Sequence, residues 1–134
     1  MTALIGCCTW IFGDATLPDI AQRVRRSGLD GVELFGDVDG TDPSSARAIL
    51  NGEGLDVFSI TPGDADISHP DVATRTAGID YYDRLMDWAC DLGEPLISCH
   101  GQVGRSKPVA GQQEEDDLLV ASVDRICGMA RARG

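Results

Sequence analysis

The strongest constraint on this chain is a rhythm. An apolar run of strand length is followed by a segment patterned as a helix, and the pair recurs four times. Strands separated by helices do not form hairpins; they lie side by side in parallel, with each helix as the crossover. The first run spans Ala3–Phe12 and ends at Gly13-Asp14. Thr16 then caps a helix with Pro18 in its first turn, Ile20 and Val24 on one side and Gly28 at its close. Gly31–Phe35 is the second strand. Asp42-Pro43 opens the second helix, with Ala46, Ile49 and Leu50 on one face. Val57–Thr61 is the third strand and Val72–Leu92 a long helix, with Ile79, Tyr82, Met86 and Ala89 recurring on one side. Pro95–Cys99 reads as the fourth strand. Gln112–Arg133 reads as the last helix, with Leu119, Val123, Ile126 and Ala130 facing inward.

Two architectures carry such an alternation: part of an α/β barrel, or a small doubly wound sandwich of the flavodoxin kind. The first strand is not followed by a G-x-G-x-x-G or phosphate-loop motif, which removes the usual nucleotide-binding sandwiches. A complete (β/α)8 barrel takes about 250 residues. The expectation is one domain over residues 1–134, a (βα)4 half of a TIM barrel with strands in the order 1-2-3-4; a flavodoxin-like sandwich that binds a small ligand, with order 2-1-3-4, stands as the alternative.

Charge and cysteine content narrow the partners. A formal net charge of −11 disfavours nucleic acid and anionic membrane surfaces, which recruit Lys and Arg. No apolar run reaches the roughly 20 residues needed to cross a bilayer. Five cysteines without a disulfide-framework spacing point to a reducing, cytoplasmic setting. Cys7, Cys8 and Cys99 read as small core residues, and no zinc spacing is present.

The chemistry lies at the strand ends. Side chains alternate along a barrel strand, so Val32 and Leu34 face the helices while Glu33 faces the mouth. Ser59 and Thr61 separate in the same way from Phe58 and Ile60, and Ser98 and His100 share a face. Glu33 suits a sugar hydroxyl or a proton, because buried carboxylates are rare without a partner or a task. Its bland counterpart is an ion pair with a basic neighbour. His100 suits a substrate oxygen, an oxyanion or a metal. Trp10 offers an apolar wall. The loop with Gly101, Gly104, Arg105 and Lys107 lets backbone and cations approach a ligand. His69 reads as a surface or capping residue. Glu114-Glu115-Asp116-Asp117 reads as a solvated first helical turn offsetting the dipole.

Gly31-Val32-Glu33-Leu34 after Ser27-Gly28 resembles the second strand of the sugar phosphate isomerase/epimerase family, the xylose isomerase-like barrels. Asp66-Ile67-Ser68 through Arg75 to Met86-Asp87-Trp88-Ala89 and Leu92-Gly93 resembles the third helix and its approach. Ser98-Cys99-His100-Gly101 resembles the fourth strand's end. The resemblance covers the amino-terminal half of such a barrel. It implies proton transfer next to a carbonyl through an enediolate, on a small ketose, polyol or keto acid, assisted by Mn, Mg, Co or Zn. The implied metal ligands come from strands five to eight, outside these residues. Glu33 then maps to catalysis, and His100, Trp10, Ser59 and Gly101 to substrate binding. The family's endonuclease branch uses a histidine where Thr61-Pro62-Gly63 stands, which disfavours DNA repair. The reading from another class is a non-catalytic half-barrel. Four strands leave two open edges, which invite a homodimer closing eight strands or the absent half.

Overall fold

The computed structural model describes residues 3–101 and 104–134. Its elements are β1 (Gly6–Cys8), α1 (Leu17–Arg26), β2 (Gly31–Gly36), α2 (Pro43–Gly52), β3 (Asp56–Pro62), α3 (Val72–Leu92), β4 (Leu96–Ile97) and α4 (Gln112–Arg133). The four strands form one sheet in the order β1-β2-β3-β4. Gly6, Cys7 and Cys8 align in parallel with Gly31, Val32 and Glu33, and Ser59 and Ile60 with Leu96 and Ile97. The expected strand–helix order and strand sequence are both present. The chain divides into two compact units, Met1–Thr61 with Trp88–Ser98, and Pro62–Asp87 with Cys99–Gly134.

In the first unit the helix starts follow their caps. The Thr16 hydroxyl accepts from the Asp19 amide, and the Asp42 carboxylate from the Ser45 amide at 2.8 Å. Ile20, Ala21 and Val24 of α1, Ala46 and Leu50 of α2, and Val32, Leu34, Leu55 and Ile60 are buried. Each large aliphatic removed from water in this way contributes about 1.5–3 kcal/mol. Strands β1, β2 and β3 approach one another closely at Gly6 and Gly31. A Cβ on Gly31 would lie 2.4 Å from the Asp56 carbonyl oxygen and 2.8 Å from the Phe58 ring, and one on Gly6 would lie 2.7 Å from the Gly31 oxygen.

Two strands are shorter than their apolar runs. After Cys8 the backbone enters a 3-10 turn over Thr9–Phe12. The buried Thr9 hydroxyl then accepts from the Phe35 amide at 2.9 Å, where a longer β1 would have offered a backbone carbonyl. β4 pairs only through Leu96–Ile97, extended by one bond from the Ser98 amide to the Ile60 oxygen at 2.9 Å.

In the second unit Ala65, Ile67, Ile79, Tyr82, Leu85, Met86 and Ile126 are buried. Asp71 caps α3 by accepting from the Thr74 amide and hydroxyl, each at 2.8 Å. Arg133 of α4 bonds Asp83 and Asp87 of α3, both at 2.8 Å. The inward face of α4 differs from its apolar pattern. Only Glu115, Ser122 and Ile126 are buried, Leu119 and Val123 are half-buried, and Ala130 is exposed. No described helix is long and apolar enough to cross a membrane.

Candidate functional site

In the first unit, polar side chains from β1, β3 and the residue just past β4 meet one carboxylate of β2. Glu33 stands at mid-β2, aligned with Cys8 at the end of β1. The Cys8 thiol donates to Glu33 Oε2 at 2.9 Å. The Thr61 hydroxyl, near the end of β3, donates to Glu33 Oε1, and the Ser98 hydroxyl, just past β4, reaches the same oxygen at 3.4 Å. Glu33 is half-buried, between the buried Val32 and Leu34. A cavity of about 190 Å³ opens beside it, lined by Gly6, Cys7, Cys8, Glu33, Phe58 and Ser59. The hydrogen bond to Glu33, then burial and the carboxylate's charge, hold the Cys8 thiol above its ordinary pKa. Cys8 is thus a protonated donor, not a nucleophilic thiolate.

Several expectations need correction. Cys8 is a partner of Glu33, not a core residue. Cys7 is half-buried and Cys99 is exposed. Phe58 does not keep to the helix-facing side. Its ring occupies the space that the missing Cβ atoms of Gly6 and Gly31 leave, and it lines the Glu33 cavity with Ser59. Trp10, 58% exposed, lines a different cleft of about 420 Å³ in the same unit, together with Phe35.

His100 and Gly101 belong to the second unit. His100 is exposed, and its backbone amide donates to the buried Tyr82 hydroxyl at 3.1 Å. Burial raises the Tyr82 pKa, against the opposing pull of that amide. The Gly101 carbonyl accepts from the Ser68 hydroxyl at 3.3 Å, and a Cβ on Gly101 would lie 3.0 Å from the Leu119 side chain. The first unit therefore brings together Glu33, Ser59, Cys8, Thr61 and Ser98, while His100 and Gly101 are held by contacts of their own unit.

Arg105 is not a free ligand-binding cation. Its Nε bonds Asp66 at 2.5 Å and its NH1 bonds Glu115 at 2.7 Å. Glu115 does not face water as its position in an acidic run suggests. It is fully buried and accepts from the Val109 and Ala110 amides at 2.5 and 2.9 Å. Burial works to raise both carboxyls, but Arg105 and the neighbouring amides outweigh it, so Asp66 and Glu115 sit below the usual range. His69 accepts from the Asp71 amide at 3.0 Å, consistent with its reading as a loop and capping residue.

Among the described residues no three His, Cys, Asp or Glu side chains gather so as to hold a metal. The Glu33 partners point hydrogens at the carboxylate, whereas a metal site needs lone pairs directed at one point. The described residues do not fit a divalent ion.

Parallel strands in sequence order, each followed by a helix, with polar groups meeting at the strand ends, define half of a TIM barrel. The family model described as "Xylose isomerase-like TIM barrel" matches residues 21–134, and the chain belongs to that family. Among solved structures it is similar to L-ribulose 3-epimerase, with TM-score 0.81 and 21% identity over 98% of this chain and 47% of that one. D-psicose 3-epimerase from Clostridium cellulolyticum H10, solved with D-tagatose, gives TM-score 0.78 and 18% identity over 95% and 48%. A xylose isomerase-like TIM barrel protein from Mycobacterium smegmatis, in complex with magnesium, gives TM-score 0.75 and 20% identity over 99% and 53%. The chain spans about half the length of these proteins. No curated protein matches it.

Proposed function

We propose that this chain serves a sugar isomerase/epimerase type of reaction on a small ketose, polyol or keto acid. Glu33 is the group that moves the proton or holds the reacting hydroxyl. The observation that carries this reading is the convergence of Cys8, Thr61 and Ser98 on Glu33 beside an open cavity. Hydrogen-bond donors aimed at a carboxylate fix its orientation and favour its charged form, the state a proton acceptor needs. Ser59 lines the same cavity and Trp10 stands nearby in sequence as an apolar wall. His100 and Gly101 are the further substrate contacts that the family resemblance suggests. The divalent ion of the family has no ligand set among the described residues, and no step of this reading passes through it.

The test is exchange of carbon-bound hydrogen. D-tagatose, L-ribulose and D-fructose are incubated with the 134-residue chain in deuterated water, with magnesium or manganese supplied, and followed by proton NMR. Deuterium entering next to the carbonyl with wild type, and lost in Glu33→Gln, is the expected result. Equal rates for the two proteins, or no exchange with any of the sugars, reject the reading.

A second reading, a non-catalytic half-barrel that pairs with another copy, is favoured by the edges of the sheet. β1 and β4 are its outermost strands. Leu4 and Ile5 beside β1 are 63% and 60% exposed, and Leu96 in β4 is 78% exposed. Apolar open edges are sites of strand pairing. Sedimentation showing a wild-type dimer that Leu96→Lys converts to monomer supports this reading; a wild-type monomer at all concentrations removes it.

A further inference from the structure

The segment that follows β4 is gripped from two sides. The His100 amide donates to the Tyr82 hydroxyl at 3.1 Å, and the Gly101 carbonyl accepts from the Ser68 hydroxyl at 3.3 Å. Tyr82 and Ser68 are each 1% exposed, so two buried hydroxyls are committed to a short stretch of loop backbone. Loops ordinarily leave such backbone groups to water. Gly101 also packs where a side chain would not fit, since a Cβ there would lie 3.0 Å from Leu119. His100 itself is exposed. Its backbone is therefore fixed while its imidazole remains open to a ligand.

The Ser68 hydroxyl has one hydrogen and two acceptors within reach, Asp66 Oδ1 at 3.2 Å and the Gly101 carbonyl at 3.3 Å. These distances alone do not choose between them. Arg105 does. A carboxylate oxygen has about two acceptor positions, and both on Asp66 Oδ1 are filled, by the Ser68 amide at 3.1 Å and Arg105 NH2 at 3.2 Å. The same NH2 donates to Ser68 Oγ at 3.3 Å, which turns the hydroxyl's own hydrogen outward. That hydrogen is left to the Gly101 carbonyl.

Arg105 can direct the hydroxyl because its own plane is fixed. Its Nε bonds Asp66 Oδ2 at 2.5 Å, and its NH1 bonds the buried Glu115 at 2.7 Å and reaches the Lys107 carbonyl at 3.5 Å. All five guanidinium hydrogens thus have acceptors, in the rigid fork that a lysine ammonium lacks. We propose that Arg105 is a positioning residue: by filling Asp66 it turns the Ser68 hydroxyl onto the Gly101 carbonyl, and so holds His100 in the orientation in which it meets substrate. This rests on the reading of His100 as a substrate contact and adds the residues that place it. Arg105 and Ser68 act through the His100–Gly101 backbone, not by touching the ligand.

The test is amide hydrogen exchange of the whole chain, followed by NMR, in wild type, Ser68→Ala and Arg105→Lys. Ser68→Ala keeps both ion pairs of Arg105 and loses the hydroxyl; Arg105→Lys keeps the charge and loses the fork. Both should speed exchange at His100 about three- to tenfold, the value of one neutral hydrogen bond, while amides inside α3 keep their wild-type rates. A wild-type rate at His100 in either variant overturns the proposal. So does an acceleration shared by α3, which marks general destabilisation. A second arm uses the deuterium-incorporation assay. Ser68→Ala should raise KM about three- to tenfold with kcat within about twofold, and should add nothing to His100→Ala in the double variant. Additive effects of the two substitutions overturn the proposal. No incorporation by wild type rejects the Glu33 reading alone, and the amide rates still decide whether Arg105 positions His100.

Discussion

Replacing Glu33 by Gln tests the central cluster most directly. In the wild type Oε1 accepts from Thr61 and Ser98, and Oε2 accepts from Cys8. The amide that replaces the carboxylate has one acceptor and one donor end. Its low-energy orientation keeps the oxygen on the two hydroxyls and turns the NH2 toward Cys8, whose sulfur then accepts. No atom is removed and no cavity forms, so the cost is the charge assistance of these bonds. Neutral hydrogen bonds contribute about 0.5–1.5 kcal/mol and charged ones about 1.5–3, which sets the loss near 1–2 kcal/mol. For a domain of this size that is roughly 3–10 °C in melting temperature. Glu33→Leu removes the carboxylate oxygen that the Thr61 and Ser98 hydroxyls share and should cost about 1–3 kcal/mol more. The second readout is Cys8 itself. With the carboxylate gone, its thiol should move down toward the ordinary range and alkylate faster at a fixed mildly alkaline pH, measured by mass spectrometry of its peptide. A Glu33→Gln protein with unchanged melting and an unchanged Cys8 alkylation rate would refute the bonded cluster.

Three further outcomes follow from other parts of the molecule. Asp66 and Glu115 have folded-state pKa values below their unfolded ones, so their contribution is present above about pH 4 and is lost as pH falls through the depressed values. Acid titration of circular dichroism should show that loss, and Arg105→Met should flatten the slope. Gly31→Ala places a methyl 2.4 Å from the Asp56 oxygen and against the Phe58 ring, and should destabilise by about 1–3 kcal/mol in urea unfolding. Tyr82→Phe removes the acceptor of the His100 amide; because His100 is exposed, water can replace it, so the cost should be about 1 kcal/mol, with faster hydrogen exchange at His100 and little change elsewhere.

Local signals were enough for much of the architecture. The caps Thr16 and Asp42 and the positions of α3 and α4 are legible because they depend on residues a few places apart in the chain. The lengths of β1 and β4 are not. They depend on Thr9 capturing the Phe35 amide and on the register of Leu96 against Ser59, contacts between residues 26 and 37 positions apart. The site divides in the same way. Alternation sends Glu33 away from Val32 and Leu34, so its placement is readable. That Cys8 stands opposite Glu33 follows only from the β1–β2 register, and nothing in the adjacent pair Cys7-Cys8 announces which thiol would face the carboxylate.

The hardest distinction in the sequence is between carboxylates that stabilise and carboxylates that act. Glu33 and Glu115 are the same residue type, and an acidic run at a helix start is ordinarily solvated. In the folded chain Glu115 meets Arg105 and two backbone amides, a set that cancels its charge and holds the turn before α4 in place. Glu33 meets two hydroxyls and a thiol beside an open cavity, donors that orient a carboxylate without adding an opposing charge. An ion pair of the first kind makes a poor proton acceptor, because its lone pairs and charge are already engaged. A carboxylate held by hydroxyl and thiol donors stays in its charged form and, beside an open cavity, within reach of a ligand. The two carboxylates thus differ in the partners described for them, set for Glu33 by which strand ends the parallel register brings side by side and for Glu115 by the turn before α4.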